Sequence, residues 1–397
     1  MNTEKKLIPL LRFPEYKESI GWKESLIKNV CSIGTGKSNS QDQVEDGKYP
    51  FFIRSEVPVR SNRYLYDCEA VITIGDGKIG KVFHYINGKF DLHQRCYKMT
   101  DFKDVDGKFF YYYFSSHFYE RAMKMTAKAT VDSVRLGMIS EMPISYPSIS
   151  EQQKIAKCLS SIDSYISSIN EKVEQLKAHK TSLLQKLFPQ RGQTVPEYRF
   201  SEFKEDRAWK KMKLGDVTTV INRRNKSNRS LPIYSISNKD GFILQSEQFD
   251  RLDSESRGYD ISLYKIVGRN TFAYNPARIN IGSIGYSGNL KEVLISSLYV
   301  CFKTTNELDD EFLICFLKTA QFSQAVENNV EGGIRSYLFY ENFSRINISI
   351  PSLQEQKKIA STILSIDDVI SKYTDKVSLL EDYKKGLMQQ LFPAITK

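Results

Sequence analysis

The chain has 397 residues, two to three times the usual single-domain size, so at least two hydrophobic cores are expected. Hydrophobic residues at 41% and aromatics at 12% exclude a disordered chain, and no run reaches the roughly 18 to 20 apolar residues of a membrane span. A formal net charge of +10 suits a polyanionic partner, while six scattered cysteines without a C-x-x-C pair and four histidines support neither a disulfide framework nor a zinc site.

The opening segment MNTEKKLIPLLRF has too short an apolar run for a secretory signal, so a cytoplasmic location without a membrane is expected. Residues 1 to 146 then read as β-prone runs broken by Gly, Asn, Asp and Pro, such as Tyr49 to Ile53 and Glu69 to Gly75. Phe109 to Phe118 reads as a buried helix. The loops between carry Lys37, Arg54, Arg60, Arg63, Lys78, Lys81 and Arg95. Of these, Lys37, Arg54, Arg63, Lys78 and Lys81 are candidate DNA contacts, because Arg and Lys suit phosphates and guanine edges. The alternative for each is an ordinary solvated loop residue.

Two motifs here fail on context. Gly75, Gly77 and Gly80 match G-x-G-x-x-G, but the KVFHYI that follows is β-prone, so a hairpin turn is expected instead of a dinucleotide loop. Gly36, Lys37 and Ser38 end like a phosphate-binding loop, yet Cys31 stands where its first glycine belongs.

Residues 147 to 189 change character. Ile155, Leu159, Ile162, Ile166, Ile169, Val173, Leu176, Leu183 and Leu187 step by four and three, broken only at Lys180. This heptad predicts a coiled-coil helix on the order of 55 Å long, provided Asp163 does not break it. Ser150 and Gln153 have capping-box spacing at its start, and Pro189 ends it.

Residues 190 to 350 form a second strand-rich stretch, with Glu292 to Lys303 and Arg345 to Pro351 as strand runs and Glu311 to Phe322 as a buried helix. Its strongest polar patch is Asn222, Arg223, Arg224, Asn225, Lys226, Asn228 and Arg229, followed by Asn275, Arg278 and Asn280. Asn222, Arg223, Arg224, Lys226, Arg229, Arg278 and Asn280 are the candidate DNA contacts, asparagine suiting adenine. Asn275-Pro276 stands alone, without the rest of an amino-methyltransferase loop. No carboxylate pair, activated nucleophile or metal cluster emerges, so the chain reads as non-catalytic and without a cofactor of its own.

Residues 351 to 397 close the chain with a second heptad: Ile359, Ile363, Ile366, Ile370, Tyr373, Val377, Leu380, Leu387 and Leu391, broken only at Lys384. Pro147 to Pro189 and Pro351 to Pro393 align without a gap at an offset of 204, with about half of the positions identical. A weaker echo at an offset of 187 places Arg12, Phe13 and Trp22 on Arg199, Phe200 and Trp209. The expected organisation is a first module (1–146), a central helix region (147–189), a second module (190–350) and a C-terminal helix region (351–397). The cheapest cover for each apolar seam is the other copy, in antiparallel pairing. The lysine within each seam either fixes register or extends its ammonium to solvent.

The duplicated P-S-x-x-E-Q-x-K-I-A segment leading into a heptad and ending in L-F-P, with a W-K element opening each module, resembles the specificity subunit of type I restriction-modification systems. YNPARINIGSIG (Tyr274 to Gly285) is similar to a glycine-turn motif of target recognition domains, and IGDGKIGKV resembles another version of it. The chain departs from many relatives in carrying Ser148 and Ser352 where they have a second proline.

The resemblance implies an α+β fold with a pseudo-twofold internal repeat, two strand-rich α/β target recognition domains being joined by two long antiparallel coiled-coil helices. It implies double-stranded DNA as partner, read as a split, asymmetric site, with two methyltransferase subunits and motor and nuclease subunits completing the enzyme. Methyl donor and ATP would sit on those partners. Two other readings stay open at this level: a coiled-coil scaffold with two protein-binding modules, and a nuclease or methyltransferase acting unaided.

Overall fold

In the computed structural model, which describes residues 7–126, 133–248, 253–330 and 337–393, the chain divides into two units. The first takes residues 1–171 and 374–397, the second 172–373. Each therefore contains one strand-rich module and a part of each of two long helices.

The first unit contains β1 (Lys23–Leu26), α1 (Ile27–Val30), β2 (Ser32–Thr35), β3 (Tyr49–Phe52), β4 (Val59–Ser61), β5 (Tyr66–Ile74), β6 (Phe83–Leu92), β7 (Cys96–Thr100), α2 (Gly107–Thr126), α3 (Leu136–Ser140), β8 (Pro143–Tyr146) and the start of α4 (Ile149–Leu187). Six strands form one sheet in the order β2-β7-β5-β6-β3-β4, and β1 pairs separately with β8. The pairing is antiparallel except between β3 and β6. The run Glu69 to Gly75 is β-prone and apolar on both faces because both faces of β5 are covered. Val71 packs toward α2, while Ala70, Ile72 and Ile74 join Phe52, Phe90 and Leu92 in a second core.

The predicted helix at Phe109 to Phe118 lies inside the longer α2, and Phe109, Phe110, Phe114 and Phe118 are fully buried. A helix apolar on most sides has to be covered on most sides. The sheet, β8, α4 and the last turn of the C-terminal helix supply that cover, through Met99, Ile144, Ile155, Leu159, Leu391 and Phe392.

The second unit contains the end of α4, then β9 (Lys210–Lys213), α5 (Leu214–Val217), β10 (Thr218–Ile221), β11 (Ile233–Ser237), β12 (Gly241–Leu244), α6 (Gln245–Gln248), β13 (Lys265–Val267), β14 (Phe272–Tyr274), β15 (Ile284–Tyr286), β16 (Val293–Ile295), β17 (Val300–Thr304), α7 (Asp310–Phe316), α8 (Ala320–Asn329), α9 (Tyr340–Ser344), β18 (Asn347–Ile350) and most of α10 (Leu353–Leu391). Its sheets run β10-β17-β14-β15 and β12-β11-β16-β13, with β18 beside β9.

The order β10-β17-β14-β15 repeats β2-β7-β5-β6, and the parallel β11–β16 pair repeats β3–β6. Where the first module has one long strand, β6, the second has β15 and β16. Two sequence expectations need correction here. The single helix expected over Glu311 to Phe322 is two, α7 and α8, because Thr319 caps a new helix by accepting from the Phe322 amide. The strand expected over Glu292 to Lys303 is interrupted between Ile295 and Val300.

Both long helices run unbroken for 39 residues, through Asp163 and Asp367. Within the first unit, Tyr165 meets Lys376, Asp163 meets Lys384, and Ile155 and Leu159 share a core with Leu391. Within the second, Lys172 faces Tyr373, Lys180 meets Asp367, and Leu184 and Leu187 share a core with Ile359 and Ile363. Rising numbers on one helix meet falling numbers on the other, so the pairing inside each unit is antiparallel. Every seam position is buried or half-buried. The seam lysines are turned inward: Lys180 and Lys384 keep only 15% and 20% of their side-chain surface exposed, and each ion-pairs with an aspartate of the opposing helix.

The start of each long helix is held by a device that the capping-box spacing did not identify. α4 begins at Ile149, so Ser150 lies inside it, and the neighbouring Gln152 does the work. Gln152 Oε1 accepts from the Asp106 amide (2.8 Å), and Nε2 donates to the carbonyls of Pro147 (2.9 Å) and Asp104 (3.0 Å). Gln356 repeats this on Asp309, Pro351 and Glu307.

The preceding glutamate takes an arginine. Arg12 Nε and Nη2 reach Glu151 at 2.8 and 2.7 Å, and its remaining donors bind the carbonyls of Ser19 and Ile20. Arg199 does the same with Glu355, Asp206 and Arg207. Both pairs are almost fully buried, so removing one partner leaves an uncompensated charge. Arg12→Ala is expected to cost about 3 to 5 kcal/mol in chemical denaturation. Arg12→Lys should recover only part of it, because an ammonium cannot reproduce the two-pronged geometry.

Candidate nucleic-acid interface

In the first module, β2 and β5 flank β7, and the register puts Thr35 and Thr73 on either side of Tyr97. The loops that follow β2 and β5 therefore leave from one end of the sheet. In the second module β10 and β14 flank β17, with Ile221 and Ala273 on either side of Cys301. Its loops 222–232 and 275–283 leave from the equivalent end.

Each second loop is pinned by a buried isoleucine, Ile79 at 3% exposure and Ile279 at 4%. The residue before each is an exposed cation, Lys78 or Arg278. Lys78 touches Glu56 in a pair exposed on both sides, and Arg278 has no side-chain partner among the described residues. Such a surface pair contributes little and opens readily for a phosphate. The expected hairpin turn is present: residues 75–82 join antiparallel β5 and β6, Val134 and Asp76 brace the loop, and no helix follows it. Gly282, at φ +88°, makes the corresponding left-handed turn in the second module. Gly36 belongs to the sheet end, not to a phosphate loop: a Cβ there would lie 2.1 Å from the Leu92 carbonyl oxygen.

The first module brings Lys37, Arg54 and Lys78 together. The Lys37 amide donates to the Leu92 carbonyl, and the His93 amide donates to that of Phe52. Arg54 and Arg95 both hold Asp76, at 3.3 and 2.8 Å. Partial burial pushes the Asp76 carboxyl up, but the bonds from Arg95 and Arg54 outweigh it and hold the pKa below the usual range. Burial, with Arg54 nearby, lowers the His93 pKa and so favours the neutral ring. Gln94 and Asn39, bonded to each other, belong to the same end and were not singled out from sequence. The only local signal for Gln94 was its place in the polar turn before β7.

Arg63 and Lys81 are placed differently. Arg63 bonds Asp42, the fully buried Asp91 and Ser38 Oγ, clamping the loop after β2. Lys81 lies over the Tyr119 ring of α2, 5.3 Å from its centroid.

In the second module the loop 222–232 is organised by Asn225, which is fully buried. Its amide donates to the carbonyls of Arg229 and Ile261 and its oxygen accepts from the Arg229 amide. Arg223 and Arg229 both bind Glu292, whose pKa is lowered by the Arg229 and then the Arg223 bond. Asn222, Arg224 and Lys226 are exposed and have no side-chain partner among the described residues. Asn280 is exposed on the neighbouring loop beside Arg278. Among the described residues no cluster of His, Cys, Asp and Glu could hold a metal ion, and no helix is long and apolar enough to cross a membrane. Asn225→Ala removes three hydrogen bonds from a buried site and is expected to cost about 1 to 3 kcal/mol. The expected readout is faster amide hydrogen exchange confined to residues 222–232.

Comparison with known proteins agrees with this duplicated arrangement. A family model described as "Type I restriction modification DNA specificity domain" matches residues 19–178 and again 206–379. The MjaVIII type I restriction enzyme specificity subunit of Methanocaldococcus jannaschii is 25% identical, over 96% of this chain and 93% of its own length. The EcoDI specificity subunit of Escherichia coli is 26% identical over 46% of this chain, a match that spans 41% of that subunit. The crystal structure of a type I restriction-modification S subunit from M. genitalium superposes with a TM-score of 0.65 at 18% identity, covering 98% of this chain and all of the other. With two matches to the family model that together span most of its length, the chain belongs to the type I restriction-modification DNA specificity family and contributes sequence recognition instead of catalysis.

Proposed function

We propose that residues 1–146 and 190–350 are two target recognition domains, each reading one half of a split, asymmetric DNA site through the loops that follow β2 and β5, or β10 and β14. The observation that carries this is the duplicated loop geometry: at equivalent ends of two equivalent sheets, a buried isoleucine pins a loop and the residue before it presents a cation. Lys78, Lys37 and Arg54 in the first module, and Arg278, Asn280, Arg224 and Lys226 in the second, are the proposed contacts. Arg223 and Arg229 belong to the same surface but share Glu292, so they act there as a fixed positive edge. Arg63 and Lys81 act as supports of the loops.

Residues 147–189 and 351–397 supply the helical segments that carry the modules and dock two methyltransferase subunits. Motor and nuclease subunits then complete an enzyme working in the cytoplasm, with methyl donor and ATP on those partners. Two unlike readers in a repeated frame make site selection roughly the sum of two independent contributions, each mismatched base pair costing about 1 to 3 kcal/mol.

Exchanging residues 1–146 for the module of a relative should change one half of the methylated sequence and leave the other half intact, as read by mapping methylated adenines in genomic DNA. A change in both halves would overturn the modular reading. Lys78→Ala should weaken binding at all sequences and lower the slope of log affinity against log salt by about one, the signature of one lost phosphate contact.

A further inference from the structure

The seam lysines find aspartates that also bind the modules. Asp163 accepts from Lys384 Nζ at 2.5 Å through one oxygen and from the Tyr112 hydroxyl at 2.7 Å through the other. Tyr112 belongs to α2, and the Lys384 ammonium lies 5.2 Å from its ring centroid. One carboxylate thus joins α4, α10 and the first module. In the second unit Asp367 meets Lys180 at 2.5 Å and, through its second oxygen, Lys318 at 3.4 Å. Lys318 lies just beyond the Leu317 cap of α7, so α10, α4 and the second module again meet at one carboxylate.

An apolar heptad seam by itself tolerates sliding by seven residues, about 10 Å along the axis, because each Ile or Leu meets another. The aspartates do not tolerate it. The residues seven positions from Asp163 are Ala156 and Asn170, and those from Asp367 are Ala360 and Thr374. A slipped pairing would leave each half-buried lysine without a counter-charge.

We infer that Asp163 and Asp367 are positioning residues: each locks the register of the paired helices and the seat of its module at one carboxylate, and the two together restrict the protein to a single spacer length between half-sites. This rests on the split-site reading above. The double variant Asp163→Leu with Lys384→Met replaces the pair by apolar seam residues. Such exchanges commonly preserve or raise stability, so a merely structural pair predicts an unchanged or higher Tm and unchanged specificity.

The test maps methylated adenines produced by the complete enzyme carrying this variant, alongside its Tm. The expected result is an undiminished Tm, unchanged bases in both half-sites, and methylation at sites with a spacer about three base pairs longer or shorter, the roughly 10 Å of one heptad slip on a duplex rising about 3.4 Å per base pair, increasing about tenfold over the parent, the size of a typical coupling between touching residues. Methylation confined to the parent spacer would overturn the inference. Should the double variant give no methylation, Asp163→Asn, which keeps the side-chain size, decides on the same readout. A parent enzyme that methylates one uninterrupted motif would remove the split-site reading and this inference with it.

Discussion

The buried arginine–glutamate pair, made twice, is the constraint on which the frame depends. Arg12 and Arg199 lie in irregular segments before the first strand of each module, and each is bonded to the glutamate in the first turn of a long helix. Two charges removed from water are tolerable only when each is fully bonded. Here the guanidinium spends its remaining donors on two carbonyls of the following turn, so the pair also folds that turn. Gln152 and Gln356, one residue on, tie the same helix starts to the segments before α2 and α7. The E-Q of the duplicated motif is therefore a joint: glutamate binds the chain entering the module, glutamine the chain leaving the sheet.

From this joint the rest follows in order. The helix start fixes where Ile155 and Leu159, or Ile359 and Ile363, enter the cores, and the L-F-P end of the opposing helix fills the space beside them. Phe392 meets Trp22 and Phe109, while Phe188 meets Trp209 and Phe312. Conservation of this aromatic contact within one chain explains why both tryptophans sit in the opening W-K element. The repeat is imperfect where chemistry allows it. Trp209 Nε1 donates to Glu355 at 3.3 Å, whereas Trp22 Nε1 is buried with no partner among the described residues.

The variable modules obey a different rule. Their strand order is held in common, while their loops differ in length and composition. What keeps such loops usable is local anchoring: Asn225 inside one, Arg63 beneath another, and an isoleucine in the core under each of the second pair. The fixed loop presents cations whose acidic neighbours, Glu56, Asp76 and Glu292, are themselves at the surface or near it. A polyanion can therefore compete for those cations without disrupting the core.

The sequence by itself determined the repeat, the two long helices, the strand-rich character of the modules and the antiparallel logic of the seams, because these rest on short-range periodicity. A period of three and four marks a helix face, and a gapless offset of 204 marks a duplicated one. It also singled out the loop cations and, through Lys180 and Lys384, a polar break in each seam. Which of those cations stand together was decided only by tertiary structure, since backbone pairing brings the segments carrying Lys37, Arg54 and Lys78 to one end of the sheet and Arg63 is drawn off by Asp91. The partners of the seam lysines were likewise invisible, because Asp163 lies 221 residues from Lys384 and no local pattern encodes that distance. Sequence spacing suggested Ser150 and Gln153 as a cap; the fold used Gln152, because a side chain bonded both to the segment entering α2 and to the entry of its own helix holds two helix starts at once.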